Sequence, residues 1–195
     1  MKAMTMNKRQ QIQDTALKLF VKNGYINTPA RDIIDGSGHG TSTFYRHFKN
    51  KEDVLRSLLE EFLNEIILSI ENYYESEIDL KKRFFGTKKV VIEVFIKNRG
   101  LSDLYVKSVG LGDDIEKCIK EFDDKFIESS IKNISFGIKS GIFHDLQPAP
   151  IAHAILGIIK YAVYKWIVLD EITEDQLLNM VLSFHKSLGI GLFKD

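Results

Sequence analysis

Apolar residues recur at helical spacing along almost the whole chain. In the first segment Ile12, Ala16, Leu19 and Phe20 share one face, and Gly24 follows where a helix can end in the left-handed conformation. The run from 90 to 96 is rich in β-branched residues and leaves a strand open as an alternative, but its flanks favour a helix. The pattern therefore predicts an all-α fold. The predicted helices cover about residues 7–23, 29–35, 41–48, 51–73, 78–97, 102–109, 114–140, 151–169 and 174–190.

Turn and cap residues divide the first fifty positions into three short helices. Thr28 before Pro29 predicts the N-cap of the second helix, with proline at its first position. The glycine-rich stretch 36–40 predicts a turn. Asn50, followed by acidic residues, predicts the cap of a long helix.

The long helix and the last two helices predict how the molecule is organised. The apolar stripe from Leu55 to Tyr73 is long enough to connect two bodies, which divides the chain into domains 1–50 and 51–195. The segment 151–169 contains Lys160 and Lys165, which argue against a membrane span. Because it is apolar nearly all round, we expect segments 151–169 and 174–190 to form a homodimer interface.

Charge is distributed unevenly along the chain. The 195 residues contain 27 basic and 27 acidic side chains, but residues 1–58 carry ten basic and five acidic ones, a net +5. The head, residues 1–58, is therefore basic, and the remaining residues, the body, are acidic. This distribution indicates an anionic partner at one end of the molecule. A single cysteine, Cys118, excludes an internal disulfide, and Met1–Asn7 lacks the apolar core of a secretory signal. We therefore expect a cytoplasmic protein.

The three short helices with a glycine-containing turn predict a helix-turn-helix, which places its last helix in the DNA major groove. A set of residues in this region forms a specific pattern: Thr28, Ile33, Gly38, Thr43, Phe44, Tyr45, His47, Phe48, Lys51 and Leu55. With these residues, the sequence over about residues 10–58 resembles the N-terminal domain of the TetR (TetR/AcrR-like) family of transcriptional regulators. The resemblance implies a homeodomain-like DNA-binding domain, joined by a long helix to a helical ligand-binding and dimerisation domain. It also implies a repressor released by a small-molecule effector.

The polar residues of the head predict two kinds of contact with an operator in double-stranded DNA. Hydroxyl, imidazole and ammonium groups near helix ends suit phosphate oxygens; these belong to Thr28, Tyr45, His47 and Lys51. Short or forked polar side chains suit base edges; these are Thr41, Ser42, Thr43 and Arg46. Phe44 and Phe48 are predicted to be core residues.

The head departs from the family pattern just before Thr43. The family often has Val-Ser-Lys-Gly there, whereas this chain has His39, Gly40, Thr41 and Ser42, so one cationic contact is missing. His39 is open to three interpretations: a surface ring, a DNA contact or a pH-sensitive group. Affinity and operator choice depend on this segment.

The resemblance implies an effector site in the body. The sequence of the body shows no residue pattern typical of a catalytic site. Candidate ligand-lining aromatic residues are Phe84, Phe85, Tyr105, Phe122, Phe126, Tyr161, Tyr164 and Trp166, although aromatic residues at helical spacing are more often core. His144, Asp145, His153 and His185 do not form a convincing metal set, and no cofactor is predicted. Cys118 fits a small core residue better than a redox sensor.

Two other functions remain as alternatives. One is an architectural or division-control DNA-binding protein that has no effector. The other is a helical enzyme or carrier whose basic head is incidental, which the specificity of the segment 43–51 disfavours. Reversal of sequence-specific DNA binding by a metabolite would distinguish a ligand-responsive regulator from both alternatives.

Overall fold

The structure is a computed structural model that describes residues 7–194, and nine α-helices account for most of that range. Residues 7–194 contain no β-strand, and one isolated antiparallel bridge joins Phe143 to Phe193. The all-α prediction is confirmed, including a helix over the β-branched run 90–96. The helices are α1 Lys8–Asn23, α2 Ala30–Ser37, α3 Thr41–His47, α4 Lys51–Ser76, α5 Leu80–Lys97, α6 Arg99–Lys107, α7 Asp113–Lys139, α8 Pro148–Ile167 and α9 Glu174–Leu192.

The longest central element is α4, whose 26 residues span about 39 Å at 1.5 Å per residue. Its first turns pack against α1, and the helix also packs against α5, α6 and α7, with α7 beside it from the first turns onward. Buried residues along its whole length, from Val54 to Ile70, belong to one continuous apolar core. One rigid helix therefore contributes to the packing of both the head and the body.

Of the two helix caps predicted above, that of the long helix α4 is confirmed and that of α2 is not. The Asn50 side chain accepts a hydrogen bond from the backbone N–H of Asp53, and Thr173 and Gln176 form a capping box. The prediction that Thr28 caps α2 is wrong, because Pro29 is the N-cap residue and no side chain caps it. The Thr28 hydroxyl instead donates to the carbonyl of Gly24 at 2.8 Å.

The turn between α2 and α3 is shorter than predicted. Gly36 and Ser37 belong to α2, and only 38–40 form the turn, with Gly38 in the left-handed conformation at φ 68°. Gly36 lies against α1, where an added Cβ would lie 3.0 Å from a methyl group of Thr15. The glycine therefore allows α1 and α2 to approach closely, which a count of glycines alone does not reveal.

The last two helices pack on each other, and α8 also packs on α6 and α7. Their bounds extend the predicted segments 151–169 and 174–190 by two or three residues at one end of each. Within residues 7–194, no helix combines the length and apolar character that crossing a membrane requires. The predicted absence of a signal at Met1–Asn7 concerns residues that, apart from Asn7, lie outside the described range.

Candidate nucleic-acid interface and regulatory cavity

One side of α3 is apolar and buried, and the other is polar and open to solvent. Phe44 and Phe48 are buried, with ring centroids 6.1 Å apart, which confirms their prediction as core residues. Thr43 and His47 are half-buried at the edges of the open side. The structure thus brings six of the eight predicted contact residues onto one short helix. The exposed ones are Thr41, Ser42, Tyr45 and Arg46.

Arg9 of α1 holds the end of α3 in place. Its guanidinium lies 4.5 Å from the centroid of the Phe48 ring and donates to the carbonyl of His47 at 3.3 Å. It also donates to the hydroxyl of Ser57 on α4, which accepts a second hydrogen bond from the buried Gln13. Sequence reasoning missed this network, whose one visible signal is Gln13 beside Ile12 on the apolar face of α1.

Lys51 and Thr28 come together behind the exposed face of α3. The Lys51 ammonium donates to the carbonyls of Tyr25, Ile26 and Thr28 at 2.9, 3.2 and 3.1 Å, and it lies 4.5 Å from the Tyr25 ring centroid. The Thr28 side chain is buried. In this conformation both side chains hold the loop between α1 and α2, and their predicted phosphate contacts stay predictions.

His39 lies at the turn before α3, where it is half-buried. Its Nε2 lies 2.7 Å from the side-chain oxygen of Gln11, which makes Nε2 the donor in this hydrogen bond. The ring therefore ties the turn to α1. Of the three interpretations, this geometry favours a structural ring at the domain surface.

A narrow cavity lies in the body between α4, α5, α7 and α8. Its volume is about 20 Å³, enough for one water molecule. Its wall is mostly apolar, with a polar part contributed by hydroxyl, amide and ammonium groups. The lining residues are Ile70, Tyr74, Phe84, Thr87, Lys88, Val91, Phe126, Ser129, Ser130, Asn133, Ile134, Ile155 and Ile159.

The predicted ligand-lining aromatic residues do not share one site. Phe84 and Phe126 line the cavity together. Phe122 packs against Tyr105, with ring centroids 6.3 Å apart, in an aromatic cluster that includes Phe62. This cluster does not line the cavity, but Phe122 joins it to the wall by packing against Phe126, with ring centroids 6.0 Å apart.

The other four predicted aromatic residues do not line the cavity either. Phe85 packs against Phe193, with ring centroids 5.7 Å apart, and Tyr164 is 39% exposed. The Trp166 ring is buried under the guanidinium of Arg99 at 4.7 Å, and Tyr161 is 52% exposed.

Two buried titratable groups near the cavity were missed by sequence reasoning. The Lys88 ammonium donates to the hydroxyl of Thr87 at 3.1 Å and lies 4.5 Å from the Phe84 ring centroid. Burial lowers its pKa to about 7. Its signal in the sequence was a lysine four residues after Phe84 and three before Val91, on the apolar face of α5.

His185 of α9 is the second such group, and it is fully buried. Its Nδ1 donates to the carbonyl of Val181 at 2.7 Å, and its Nε2 has no hydrogen-bond partner within residues 7–194. Burial, followed by the charge of Lys88, lowers the pKa of His185 to about 4. The ring is therefore neutral at pH 7, with an unsatisfied acceptor in the interior.

Comparison with known proteins identifies the family of the head first and then that of the whole chain. Residues 12–58 match the family described as bacterial regulatory proteins, tetR family. A TetR-family regulator from Syntrophomonas wolfei, known from its crystal structure, is 47% identical over 94% of this chain and 95% of that chain, with a TM-score of 0.86. The chain belongs to the TetR family of transcriptional regulators.

Two more distant regulators match most of the chain. The transcriptional repressor KstR2 of Rhodococcus jostii is 22% identical over 90% of this chain and 89% of its own length. The regulator FadR of Bacillus subtilis, solved in complex with stearoyl-CoA, is 23% identical over 93% of this chain and 98% of that chain, with a TM-score of 0.80.

Membership of the TetR family makes this chain a DNA-binding transcriptional regulator rather than an enzyme. Within residues 7–194, no group of three or more His, Cys, Asp or Glu side chains is placed to hold a metal ion. Cys118 is buried, and burial raises the pKa of its thiol to about 11, so the unreactive thiol form prevails at pH 7.

Proposed function

We propose that this TetR regulator is a repressor that occupies its operator as a homodimer and leaves it when a small molecule enters the cavity of the body. The observation that carries the proposal is the double role of α4. Near its start, Ser57 bonds to Arg9 and Gln13 of the head. Near its end, Ile70 and Tyr74 line the cavity.

The size of the cavity supports a coupling between ligand and head. A molecule larger than water has to push the cavity wall outward, and α4 supplies part of that wall. A helix is stiff along its axis, so a shift at Ile70 is transmitted toward Ser57. Release from DNA then requires that the ligand bind the shifted conformation more tightly than the DNA-competent one.

The DNA contacts in the proposal lie on the exposed side of α3. Arg46 can pair with a guanine through two hydrogen bonds, and Thr41, Ser42 and Thr43 have side chains short enough to reach base edges. Tyr45, which is 55% exposed, and His47 lie where phosphate contacts would fix the register. We keep domains 1–50 and 51–195 as functional units, although the first turns of α4 also pack with the head.

A homodimer through α8 and α9 is supported by the side of these helices that faces away from the body. Ala154, Gly157 and Tyr161 recur along α8 on its exposed side, and Ile190 of α9 is also exposed. The spacing of three to four residues makes the α8 stripe continuous. Small and apolar residues in such a stripe suit close packing of helices from two copies.

Gly157→Arg tests this dimer. An added Cβ at Gly157 meets no atom within 4 Å, so the variant fits the folded subunit but blocks close helix packing between two copies. Sedimentation at micromolar concentration should show a dimer for the wild type and for the exposed control Asn72→Arg, and a monomer for Gly157→Arg. A Gly157→Arg protein that remains fully dimeric would move the interface elsewhere.

The stearoyl-CoA bound to FadR of Bacillus subtilis supports a ligand with an apolar part, since the cavity of this chain is mostly apolar as well. An architectural DNA-binding protein without an effector is not favoured, because the similar regulators include named repressors.

Fluorescence anisotropy tests the proposed function. The full-length protein is titrated onto DNA from upstream of its own gene and onto shuffled DNA of equal composition, at low and at near-physiological salt. We expect a preference for the native fragment that survives added salt, and its loss on adding an effector found by screening. Equal binding to both fragments, lost equally with salt, would contradict a specific operator there.

A further inference from the structure

We propose that the effector of this regulator carries a carboxylate that binds the Lys88 ammonium, with its apolar body lying along Phe84, Phe126 and the isoleucines of α8. The inference rests on the proposed function, because it names the chemical class of the molecule that enters the cavity.

The buried Lys88 side chain has no acidic partner among the residues that the structure describes. The residue is 7% exposed, and its one hydrogen bond in the described structure goes to the Thr87 hydroxyl. An ammonium group has three donors, so two lack a protein acceptor within residues 7–194. No carboxylate there lies within ion-pair distance, whereas Lys160 and Lys165 on α8 are both paired with acidic residues.

Such a lysine is costly to the folded protein. A buried charge is normally paired or hydrogen-bonded, and a leucine or methionine at this position of α5 would pack without that cost. The Phe84 ring offers a partial cation–π contact but accepts no strong hydrogen bond. An anion that enters the cavity supplies the negative charge and the hydrogen-bond acceptors that Lys88 lacks.

The other polar groups of the cavity lie on one part of its wall. Tyr74 lies near the side chains of Thr87 and Asn133, and Ser129 and Ser130 line the cavity from α7. These neutral groups can orient a carboxylate, and the single cation matches a single negative charge. A phosphate dianion would need further cations, so a monoanionic carboxylate fits better.

The remaining wall accepts the apolar part of the ligand. Val91, Ile134, Ile155 and Ile159 offer no hydrogen bonds from their side chains. The polar and apolar parts of the wall together predict a ligand with a charged end and a hydrocarbon chain. Because the cavity has room for only one water molecule, the length of the hydrocarbon chain sets how far the wall has to move.

Binding should also change the protonation of the cavity. The titratable groups around Lys88 are His185 on α9, Tyr74 on α4 and Arg83 on α5, and the guanidinium of Arg83 lies 5.7 Å from the Tyr74 ring centroid. Since the pKa of Lys88 is about 7 without ligand, a bound carboxylate that raises it makes the protein take up protons at pH 8.

Calorimetric titration with matched probes tests the proposal. Straight-chain carboxylates of two to ten carbons are compared with their amides and with the corresponding primary ammonium compounds, using the full-length protein at pH 7 and pH 8. We expect at least one carboxylate to bind about 10- to 100-fold more tightly than its amide, with net proton uptake at pH 8. The ammonium series should not bind.

Lys88→Met and Lys89→Met provide the matched variants. Lys89 is exposed and lies 3.7 Å from Glu93, so its replacement should leave the preference for the carboxylate intact. Lys88→Met should bring the ratio of carboxylate to amide affinity close to one. Its circular dichroism and thermal unfolding establish that the variant is folded.

The outcomes separate this inference from the proposed function. Failure of every carboxylate to bind, or equal preference in wild type and Lys88→Met, overturns the inference. A neutral compound, or octanoyl-CoA, that releases both proteins from DNA equally also overturns it and leaves the proposed function standing. Carboxylate binding that depends on Lys88 but leaves the operator complex intact upholds the inference and contradicts release by this site.

Discussion

Two lysines turned into the protein show how differently the head and the body are built. Lys51 is surrounded by three backbone carbonyls, which use all three of its donors. Lys88 has one hydroxyl acceptor and an aromatic face. The lysine of the head therefore has protein acceptors for all of its donors, whereas the lysine of the cavity has one acceptor and no carboxylate partner within residues 7–194.

The difference matches the proposed tasks of the two regions. A DNA-binding head has to hold α3 in one orientation, and satisfied polar groups such as the Arg9 network fix that orientation. A regulatory cavity has to change on binding, and an unsatisfied group gives a ligand free energy to gain there. The contrast between the two lysines can be tested directly by replacing each with methionine.

Lys88→Met should give the largest effect and stabilise the protein. At pH 6 the wild-type lysine is charged in the interior, and its removal should raise the free energy of unfolding by about 3 kcal/mol. The folded pKa of about 7 lies below the unfolded one of about 10.5, so wild-type stability rises with pH between them. Urea unfolding at pH 6 and pH 9 should show the gain shrinking at the higher pH.

Lys51→Met should have the opposite sign. It leaves the carbonyls of Tyr25, Ile26 and Thr28 without their common donor, and we expect the free energy of unfolding to fall by about 2 kcal/mol. Urea unfolding measures this too, with the exposed Lys49→Met as control. A stable Lys51→Met protein whose DNA binding shows a flatter salt dependence would instead support a phosphate contact.

His185 should make the body sensitive to acid. Its folded pKa of about 4 lies below the unfolded value of about 6.5, so the unfolded state binds more protons as the pH falls through this window. Stability is complete above pH 6.5, and by pH 5 the loss should reach about 2 kcal/mol. His185→Gln should flatten this dependence in urea unfolding, whereas the exposed His153→Gln should not.

Arg46→Ala tests the head without changing its stability. The side chain is exposed, so the fold should be unaffected, while the affinity for the native fragment falls about tenfold per half-site. Anisotropy on native and shuffled DNA should show that the loss concerns the native fragment most. Lys132→Ala, a surface cation on α7, serves as control, and an equal loss on both fragments would make Arg46 a phosphate contact.

The fold of the head was predictable because its signals are local. Phe44 and Phe48 are four residues apart on a short helix, and Asn50 caps the next one, so neighbouring residues determine the arrangement. The role of Thr28 was not predictable in the same way. Its hydroxyl can either cap α2 or donate to the carbonyl of Gly24. The packing at the end of α1 determines which of the two hydrogen bonds forms.

The cavity was only partly predictable because its wall comes from four helices far apart in the sequence. Phe84 and Phe126 could be proposed as aromatic residues, but helical spacing does not distinguish them from Trp166, which is buried elsewhere. Lys88 stands out on the apolar face of α5 by its position. That no acidic side chain within residues 7–194 pairs with it is a property of the tertiary structure alone.

The central claim is that expansion of the cavity moves α4 and thereby weakens DNA binding. Ser130→Phe tests it without a ligand, since it fills the cavity from α7, and the exposed Ser140→Phe adds the same ring outside. For a folded dimeric Ser130→Phe protein, anisotropy should show at least a tenfold lower affinity for the native fragment, with Ser140→Phe unchanged. A folded Ser130→Phe dimer that binds this DNA as tightly as the wild type would contradict the account.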